Sequence, residues 1–563
     1  MKTKIGIFDL TGCQGCEFHL LSANELLLDI LQEFEITNWR LMTEQTPKDF
    51  DIAIIEGAAT KKEHIELLKQ IRATSRIVVA LGACAITGNV FAELSHEKRA
   101  KLAPKIYDKN YRLKADFLEP IEKFIKIDEK IPGCPPDINA FKTFLTKIKG
   151  QTIQSPRQIV APPDYTAKIE GHGTLKVDME QRTASFHVEE SERLIEGLLI
   201  GKSHSQAAFI NSRVCGICPV SHNLCTWAAI ENALKIKITR ETLNLRELLM
   251  CGQIIKSHVL HLFFLVLPDY ANLKGSLELS IKYPAEFHLM LNLKQVADDI
   301  LTVIAGSSAF PTNTALGGFI VPPQIDKLSA IKEQIYDVLD EAEDLVKLFS
   351  ELTYPKVETS LKFLTIASPK IKYPLYQSKT PAKIKEIIFN ESTSKLGVLP
   401  NGETVKVGAL ARLASASARL NPMARRLFEK YAPNVNNPFS NNLAQAIETL
   451  HFLETSIKLI EHLEQGDLLQ SAIQQPQKIT RQQKGIASLE APRGTLTHEI
   501  LLNPDLTVAR YNIIPPTQIN LAALRVEADA FLAQNKNLSE EQTKRELEKL
   551  IRAFDPCITC AVH

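Results

Sequence analysis

The sequence has few of the features that mark membrane, secreted or nucleic-acid-binding proteins. Its longest apolar run, 262–267, is far shorter than the ~20 residues that cross a bilayer. The N-terminus has neither a secretory signal nor a twin-arginine pair. The net charge is +1 at pH 7, so no overall field draws the chain to nucleic acid. We therefore expect a cytoplasmic protein with no transmembrane segment and no nucleic-acid partner.

Phosphate-binding glycine loops are also lacking. There is no GxGxxG stretch after a predicted strand and no Walker A stretch. The sequence therefore offers no motif for binding a nucleoside triphosphate or a dinucleotide.

The chain divides into two regions of different periodicity. Residues 1–150 alternate between short apolar runs (4–8, 51–56 and 76–81) and helical patterns (25–34 and 61–71), which predicts an α/β domain with a flavodoxin-like parallel sheet. Residues 151–164 are polar and contain proline, as in a linker. Residues 165–563 predict a large, mainly α-helical domain, with long helices near 241–264, 328–348 and 442–464 and β hairpins near 168–190 and 396–408.

Ten cysteines are present, and eight of them fall into two groups. In a cytosolic chain, closely spaced cysteines favour metal binding or catalysis over disulfides. The two that remain, Cys225 and Cys251, are interpreted as small buried hydrophobic residues.

The first group has one CxxC pair and two single cysteines. Its members are Cys13, Cys16, Cys84 and Cys134. Four thiolates fit tetrahedral zinc or an iron–sulfur cluster, and unliganded thiols are a third alternative. Structural zinc sites usually have two short pairs, so one pair plus two separate cysteines favours a [4Fe–4S] cluster.

The second group consists of two CxxC pairs more than three hundred residues apart. Its members are Cys215, Cys218, Cys557 and Cys560. Each pair can present both sulfurs to one side of a helical turn. His222, four residues after Cys218, could donate a hydrogen bond to a ligand sulfur.

A structural zinc site is the alternative for this second group, because four thiolates in two pairs satisfy it. The flanking residues argue against it. Arg213, Asp555 and His563 lie beside the cysteines, and a closed zinc site needs no such groups. On spacing alone, both interpretations stay open.

These stretches carry a resemblance to a known family. Residues 1–150 resemble the small subunit, and residues 165–563 the large subunit, of [NiFe] hydrogenases, most of all the cytosolic group-3 branch. The matching stretches in the first half are 11–17, 56–57, 82–85 and 133–136. Those in the second half are 169–172, 196–197, 213–222, 408–412, 491–494 and 555–563. The two subunits would here be fused in one chain.

The resemblance implies two metal centres. The second cysteine group would hold nickel, and Cys218 and Cys560 would also bridge to an iron that carries CO and cyanide. The first group would hold one proximal [4Fe–4S] cluster. The implied reaction is reversible H2 oxidation and proton reduction by heterolytic cleavage at the Ni–Fe centre, with electrons leaving through the cluster.

The same resemblance assigns roles to residues near the metals. Glu170 matches the glutamate that shuttles protons from a nickel thiolate, a role that suits a carboxyl group beside a thiol. Arg493 matches the arginine held over the metals. Its carboxylate partners would be Asp555 and Asp269, and His222 would tune a ligand sulfur.

A further metal site is implied at the carboxyl end. Glu196 and His563 match ligands of a magnesium or iron site that holds the C-terminus in place. Family large subunits are commonly made with an extension that is removed just after this histidine. The sequence stops at His563, so we expect either the matured form or a gene without the extension.

One cluster site implies that a partner receives the electrons. We expect an electron-accepting iron–sulfur or flavin subunit, linked to NAD(P) in some relatives, besides H2 and protons as substrates; a higher oligomer is compatible with the sequence. Two other functions are considered, an H2-sensing or assembly module with slow turnover and a complex I-like electron-transfer module. The presence of all four nickel cysteines argues against the second.

Three positions depart from the family pattern. Lys168 stands where the family has arginine, and Ala409 stands where it has proline. Phe310 stands where a histidine usually precedes Pro311. We expect the change at Phe310 to affect local packing, or a proton or water path, rather than to remove a metal ligand.

Overall fold

The computed structural model describes residues 2–44, 49–109, 111–149, 160, 163–366, 372–377, 383–388, 392–476 and 478–562. Most of the predicted linker 151–164 lies outside these residues, and so does His563.

A five-stranded parallel sheet forms the centre of the first region. Its strands are β1 (Thr3–Asp9), β2 (Phe34–Trp39), β3 (Ile52–Glu56), β4 (Ile77–Leu81) and β5 (Glu129–Ile131), in the order β2-β1-β3-β4-β5. All neighbouring pairs are parallel. Every residue of β3 is buried, because a parallel sheet is covered on both faces and its strands read as continuous apolar runs. The three predicted strands are therefore confirmed.

Helices connect these strands. They are α1 (Gly15–Ser22), α2 (Asn24–Glu33), α3 (Lys62–Thr74), α4 (Gly82–Thr87), α5 (His96–Ile106) and α6 (Ile138–Ile148). Cys13 and Cys134 lie in the loops after β1 and β5, and Cys84 lies in the first turn of α4, directly after β4. The carboxyl ends of parallel strands lie at one edge of the sheet, so the topology gathers these cysteines at that edge.

The second region is largely helical. Its helices are α7 (Ile195–Leu198), α8 (His204–Asn211), α9 (Pro219–Leu234), α10 (Arg240–Leu260), α11 (Leu267–Tyr270), α12 (Leu279–Lys282), α13 (Pro284–Ala305), α14 (Ile325–Asp337), α15 (Leu339–Ser350), α16 (Ala409–Ala416), α17 (Pro422–Tyr431), α18 (Asn441–Glu464), α19 (Pro516–Gln534), α20 (Glu540–Ala553) and α21 (Ile558–Ala561). The three predicted long helices are present, but the pattern at 328–348 is split into α14 and α15 at Val338.

Short β elements complete this region. Their strands are β6 (Gly173–Asp178), β7 (Thr183–Val188), β8 (Thr314–Ala315), β9 (Gly318–Phe319), β10 (Lys362–Phe363), β11 (Tyr376–Gln377), β12 (Lys385–Ile387), β13 (Leu396–Val398), β14 (Val405–Lys406), β15 (Gln483–Ala491), β16 (Gly494–Leu502) and β17 (Val508–Ile514). The predicted hairpin near 168–190 is the β6–β7 pair.

The prediction of a hairpin at 396–408 is wrong. Its tight turn does form, since the Gly402 amide donates to the Leu399 carbonyl at 2.8 Å. However, β13 pairs with β12 and β14 pairs with β10, because each short strand finds a better partner elsewhere. The sequence reasoning also missed the four-stranded sheet β11-β15-β16-β17, in which the nine-residue strands β15 and β16 form a long hairpin.

One helical stretch, Arg240–Tyr270, is long and apolar enough to cross a membrane, with a mean hydropathy of 1.5, and its apolar window is wholly buried inside the protein. It is the central helix of the second region, where α10 packs between α13 and α18. The stretch widens to a π-helical turn at His261–Val266. Such turns occur frequently at functional sites. His261, the first residue of this one, lies near Asp555, with 3.7 Å between its Nε2 and Asp555 Oδ1.

Candidate active site and redox cluster site

The two distant CxxC pairs of the second region meet in one buried cluster. The sulfurs of Cys215, Cys218, Cys557 and Cys560 all lie within 4.8 Å of one another. Cys215 Sγ is 3.0 Å from Cys557 Sγ, and Cys218 Sγ is 3.3 Å from Cys560 Sγ. None of the four is more than 4% exposed.

The backbone fixes both pairs. Cys215 and Cys218 lie in the turn that precedes α9, whose first residue is Pro219, an amino acid favoured at that helix position. Cys557 and Cys560 flank the start of the short helix α21. Residue Cys557 also forms a parallel bridge with Glu170, so the C-terminal turn is held against the start of the second region.

The electrostatics of these thiols favour a bound cation. Burial raises the pKa of Cys557 and Cys560 well above the ordinary value. For Cys215, hydrogen bonds from the other three thiols outweigh burial, and its pKa lies well below the usual one. Four thiolates in a dry site repel one another unless a metal ion compensates their charge. Soft thiolates suit nickel, iron and zinc alike, so the donor set fits a thiophilic metal.

Glu170 lies directly beside the sulfurs. The Thr559 amide donates to Glu170 Oε2 at 3.0 Å, and the Thr559 hydroxyl donates to Oε1. The side chain is fully buried. Burial, together with the negative charge of Cys215, raises its pKa to about 8. A carboxyl group with a pKa near neutrality beside a thiol is suited to proton transfer.

Arg493 lies at the tip of the β15–β16 hairpin, between its two strands. Its Nη2 donates to Asp555 Oδ1 at 2.6 Å, and its Nε donates to the Asp555 carbonyl at 2.6 Å. Nη1 donates to the Ser257 hydroxyl at 3.2 Å. The hairpin tip packs closely against the backbone of Gly408. A Cβ on Gly494 would lie 2.6 Å from the Gly408 nitrogen, so this approach requires glycine at position 494.

The prediction that Asp269 pairs with Arg493 is wrong. Asp269 Oδ1 is 2.5 Å from Lys168 Nζ, and Oδ2 is 2.6 Å from Arg552 Nη1. Asp555 alone occupies the carboxylate position beside Arg493 in the described residues, with Gln445 Nε2 on its other oxygen at 3.0 Å. Lys168 thus stabilises Asp269 rather than facing the thiols.

His222 is the link nearest the sulfur in a chain of hydrogen bonds that leads away from Cys560. His222 Nε2 is 3.3 Å from Cys560 Sγ, and Nδ1 is 3.1 Å from Nε2 of His498. His498 Nδ1 is 2.7 Å from the Tyr511 hydroxyl. The Tyr511 hydroxyl also donates to the Thr226 hydroxyl at 2.9 Å, so the chain is joined to a second hydroxyl, and the tautomers of the two rings set the direction of its links. The contact of His222 was expected, whereas His498 and Tyr511 were not.

Glu196 lies in α7, away from the four sulfurs. The Ile513 amide donates to Glu196 Oε1 at 2.8 Å, and Lys395 Nζ is 3.8 Å from Oε2. Its expected partner His563 lies outside the described residues, so the predicted magnesium or iron site stays a prediction.

The first cysteine group gathers at the carboxyl edge of the parallel sheet. Asn89 Nδ2 lies 3.6 Å from Cys84 Sγ and 3.5 Å from Cys134 Sγ. A Cβ on Gly82 would lie 2.4 Å from Cys16 Sγ, so only glycine allows that approach. Burial and the neighbouring cysteines raise the pKa of Cys13, which favours a compensating metal here too.

The spacing of these sulfurs distinguishes a cluster from a single ion. One zinc ion at ~2.3 Å from each sulfur would hold four sulfurs within about 4 Å of one another. In the described part of the chain, the grouping of ligand atoms within 4.8 Å is found at the second cysteine group and not at the first. The wider arrangement favours an iron–sulfur cube over zinc.

The two cysteine sites touch through their loops. The Gly216 amide donates to the Cys13 carbonyl at 2.7 Å. A Cβ on Gly216 would lie 2.2 Å from the Cα of Gly15, so the central residues of both CxxC turns are in van der Waals contact. The two sites are therefore in direct backbone contact at these glycines, an arrangement that suits short-range electron transfer.

Phe310 lies on the cluster side of this contact. Its ring is 2% exposed and packs with Ala309 and Cys13, and Cys134 is packed against them. A Cβ on Gly15 would lie 2.8 Å from the Phe310 ring. The departure at this position therefore alters packing around the first cysteine group rather than the surroundings of Glu170.

Several further residues of the site were not predicted. The carboxylate of Glu56 accepts the Cys16 amide at 3.2 Å and the Glu17 amide at 2.9 Å. The Gln14 side chain accepts the Gly171 amide at 2.8 Å, which joins the cluster loop to the Glu170 segment. Their signal is adjacency to a cysteine or to Glu170, which does not by itself reveal the side chain's direction.

Comparison with known proteins follows this division of the chain. A family profile described as "Nickel-dependent hydrogenase" matches residues 193–288 and 400–563. A second one, described as "NADH ubiquinone oxidoreductase, 20 Kd subunit", matches residues 13–148.

Curated relatives match the larger part at full length. Sulfhydrogenase 1 subunit alpha of Pyrococcus furiosus is 30% identical over 420 residues, which cover 71% of this chain and 97% of the relative. The NAD-reducing hydrogenase HoxS subunit beta of Cupriavidus necator is 24% identical, with 72% and 95% covered. A shorter match, to a vhu-type F420-non-reducing hydrogenase subunit of Methanocaldococcus jannaschii, is 27% identical over 28% of this chain and 61% of the relative.

Solved structures show the same fold. An NAD+-reducing [NiFe]-hydrogenase in the H2-reduced state superposes with a TM-score of 0.59 at 24% identity, covering 71% of this chain and 98% of that one. The Ni-Fe-Se hydrogenase of D. vulgaris Hildenborough gives 0.58 at 20% identity, with 70% and 98% covered.

Proposed function

The chain belongs to the nickel-dependent hydrogenase family, and from this premise we propose that it catalyses reversible H2 oxidation with electrons leaving through one [4Fe–4S] cluster. It joins the regions matched by a small-subunit-type and a large-subunit profile in one polypeptide. The observation that carries the proposal is the set of four buried sulfurs within 4.8 Å of one another, with Glu170 on one side and the first cysteine group on the other.

Nickel would be held by all four of these cysteines. Cys218 and Cys560 would be shared with an iron that carries CO and cyanide. A small cavity that borders Cys218, Cys557 and Cys560 and reaches Pro492 and Arg493 supports this assignment, since it leaves room for small ligands beside those sulfurs. The chemistry that this centre supplies when bound is the heterolytic cleavage of H2.

Glu170 would receive the proton. Its carboxyl group is buried, so water does not compete for the transfer, and Thr559 holds both of its oxygens. The peptide bridge to Cys557 keeps it in register with the sulfurs. A held carboxyl group with a pKa of about 8 can both accept and return a proton, as a reversible reaction demands.

Arg493 would stabilise negative charge at the centre. Its guanidinium lines the small cavity and is fixed by Asp555 and Ser257. A cation held in advance in a low-dielectric site stabilises charge without reorganisation. The donor chain from His498 through His222 would do the same for Cys560.

Electrons would leave through a [4Fe–4S] cluster bound by Cys13, Cys16, Cys84 and Cys134. The loop contact between Gly216 and Cys13 supports this route. Cys134 is the half-exposed member of the group, so the partner would receive electrons near it. We propose an iron–sulfur or flavin protein as acceptor; one relative is named as NAD-reducing.

The remaining predictions are proposals of the same kind. Glu196 and His563 would hold magnesium or iron. The strand order β2-β1-β3-β4-β5 supports a flavodoxin-like domain within residues 1–150, followed by the linker 151–164 and the domain 165–563. We also propose a cytoplasmic location.

The test is H2-dependent reduction of a viologen dye by the anaerobically purified, matured chain, together with isotope exchange between D2 and water. We expect both activities. A chain that is loaded with metal yet shows neither would contradict the proposal and favour a sensing or assembly role. A complex I-like module would lack nickel as well.

A further inference from the structure

Arg213 lies between the two cysteine sites, two residues before Cys215. Its guanidinium carbon is 3.6 Å from the centre of the Phe209 ring and 4.7 Å from that of the Phe310 ring. The side chain is buried at 4% exposure, whereas Phe209 is 49% exposed. The guanidinium is therefore clamped between an inner and an outer aromatic ring. Planar stacking of this kind is specific to arginine among the cationic side chains.

The donors of Arg213 are only partly used within the protein. Nη1 donates to the Phe209 carbonyl at 2.8 Å and to the Ser212 hydroxyl at 2.6 Å. Nε is buried and has no partner among the described residues. The positive charge of the guanidinium acts on Cys134 and Cys13, and both cysteines pack with the Phe310 ring that the guanidinium contacts. An unused buried donor at this place calls for an acceptor, because an unpaired buried donor is costly.

The charge of Arg213 is also uncompensated by any carboxylate. No described Asp or Glu forms an ion pair with it, in contrast to Arg493, which pairs with Asp555 at 2.6 Å. Arg193 is a second cation near the first cysteine group. However, it donates to the carbonyls of Arg213, Val214 and Thr559. Both arginines have a buried Nε without a partner among the described residues. What distinguishes Arg213 is its position, because the Phe310 ring contacts its guanidinium and also packs against Cys134.

We propose that Arg213, clamped by Phe209 and Phe310, donates to the [4Fe–4S] cluster at its Cys134 corner and raises the reduction potential of that cluster. This inference rests on the proposed function. The reduced cluster carries one more negative charge than the oxidised one, so a nearby cation and a hydrogen bond to a ligand sulfur stabilise the reduced form. Burial strengthens both effects, because the local dielectric is low.

Phe310 has a defined part in this arrangement. Its ring contacts the guanidinium on one face and packs with Cys13. A cation–π contact is stronger when it is desolvated, and the buried ring also keeps water from the sulfurs. The apolar residue at this position therefore keeps the arginine in place and does not itself supply a donor.

The test is the midpoint potential of the cluster, measured by EPR-monitored redox titration of the full chain. For Arg213→Gln we expect the equilibrium between oxidised and reduced cluster to shift towards oxidation by about tenfold, which is ~59 mV for one electron. Arg213→Lys keeps the charge without the stack, and Phe310→Leu removes one clamp. Both should lower the potential by less. Arg510→Gln, which removes an exposed arginine 3.7 Å from Glu499, is the matched control and should leave the potential unchanged.

An unchanged potential in Arg213→Gln would overturn the inference. If that variant does not assemble the cluster, Phe310→Leu decides, and an unchanged or raised potential there would overturn it as well. The proposed function fails in a different way, because a wild-type chain without a [4Fe–4S] signal would contradict it before any variant is compared.

Discussion

The two cysteine sites use the same residue type and the same CxxC turn, yet they have different geometries. In the second region two pairs converge, and all four sulfurs lie within 4.8 Å of one another. In the first region one pair meets two single cysteines from other loops, and Cys134 is half-exposed. The tight buried set suits a metal ion that all four thiolates reach at once, with a small cavity beside it for a small molecule. The wide set near the surface suits a cluster that passes electrons on.

The side chains beside the two cysteine sets differ as well. The tight set has acid–base and cationic groups beside it, namely Glu170, Arg493 and His222. The wide set has two donors that do not exchange protons at neutral pH, Asn89 and Arg213, and one carboxyl group, Glu56, which accepts the Cys16 amide at 3.2 Å. Protons and electrons would therefore leave the tight set through different residues, protons through Glu170 and electrons across the Gly216–Cys13 contact. The variants below test whether the sites can be disabled independently.

Cys560→Ser should have the largest effect. The serine oxygen is a harder ligand than a thiolate, so we expect loss of nickel and loss of H2-dependent dye reduction to below detection. The cluster EPR signal should remain. Cys251→Ser is the matched control, because Cys251 is equally buried and belongs to neither set. Nickel retention in Cys560→Ser would contradict the assignment.

Glu170→Gln should lower dye reduction and D2–water exchange by about 10²–10⁴-fold, the usual contribution of a positioned acid–base group. The amide can still bond Thr559 but cannot take up a proton. Nickel and iron content should not change. Glu170→Asp, which keeps a carboxyl group, should recover part of the rate. If the glutamine variant retains the wild-type exchange rate, the proton leaves by another group.

Cys134→Ser should separate the two halves of the reaction. Dye reduction should fall, and the cluster signal should change or disappear. The D2–water exchange needs no electron transfer out of the protein and should stay close to wild type. A parallel loss of exchange would mean that the sites depend on each other for assembly.

Tyr511→Phe should have the smallest effect. It removes the hydroxyl at the far end of the chain that reaches Cys560 through His498 and His222. The rate should change by less than about tenfold, since one neutral hydrogen bond is worth ~1 kcal/mol. We expect the infrared band of iron-bound CO to shift to lower frequency, because the sulfur becomes more electron-rich. Tyr376→Phe, a buried tyrosine whose hydroxyl bonds Arg246, should leave the band in place.

Much of the fold was predictable because its signals are local. Continuous apolar runs gave β1, β3 and β4, and helical periodicity gave α10 and α18. The strands β2 and β5 were missed, since β2 mixes polar and apolar residues and β5 has only three residues. The sheet around β15–β17 was missed because its pairing is set by tertiary contacts, such as the close packing of Gly494 against Gly408.

The candidate site divides in a similar way. The cysteines were predicted from their spacing, and Glu170 and Arg493 from the resemblance to the hydrogenase family. The sequence reasoning paired Asp269 with Arg493 wrongly, since a single charge gives no indication of which of several buried partners it meets. Arg552 and Lys168 each bind one oxygen of the Asp269 carboxylate. His498 and Tyr511 lie on the neighbouring strands β16 and β17. Their contact with each other, and that of His498 with His222, depends on how these strands pair, which the sequence does not display.

Metal analysis combined with infrared spectroscopy of the anaerobically matured chain tests the central claim most directly. We predict about one nickel and roughly five or six iron atoms per chain, of which about four belong to the cluster, and bands from iron-bound CO and cyanide. The bands should vanish in Cys560→Ser, and about four iron atoms should remain. Zinc in place of nickel, with no CO or cyanide bands, would contradict the account.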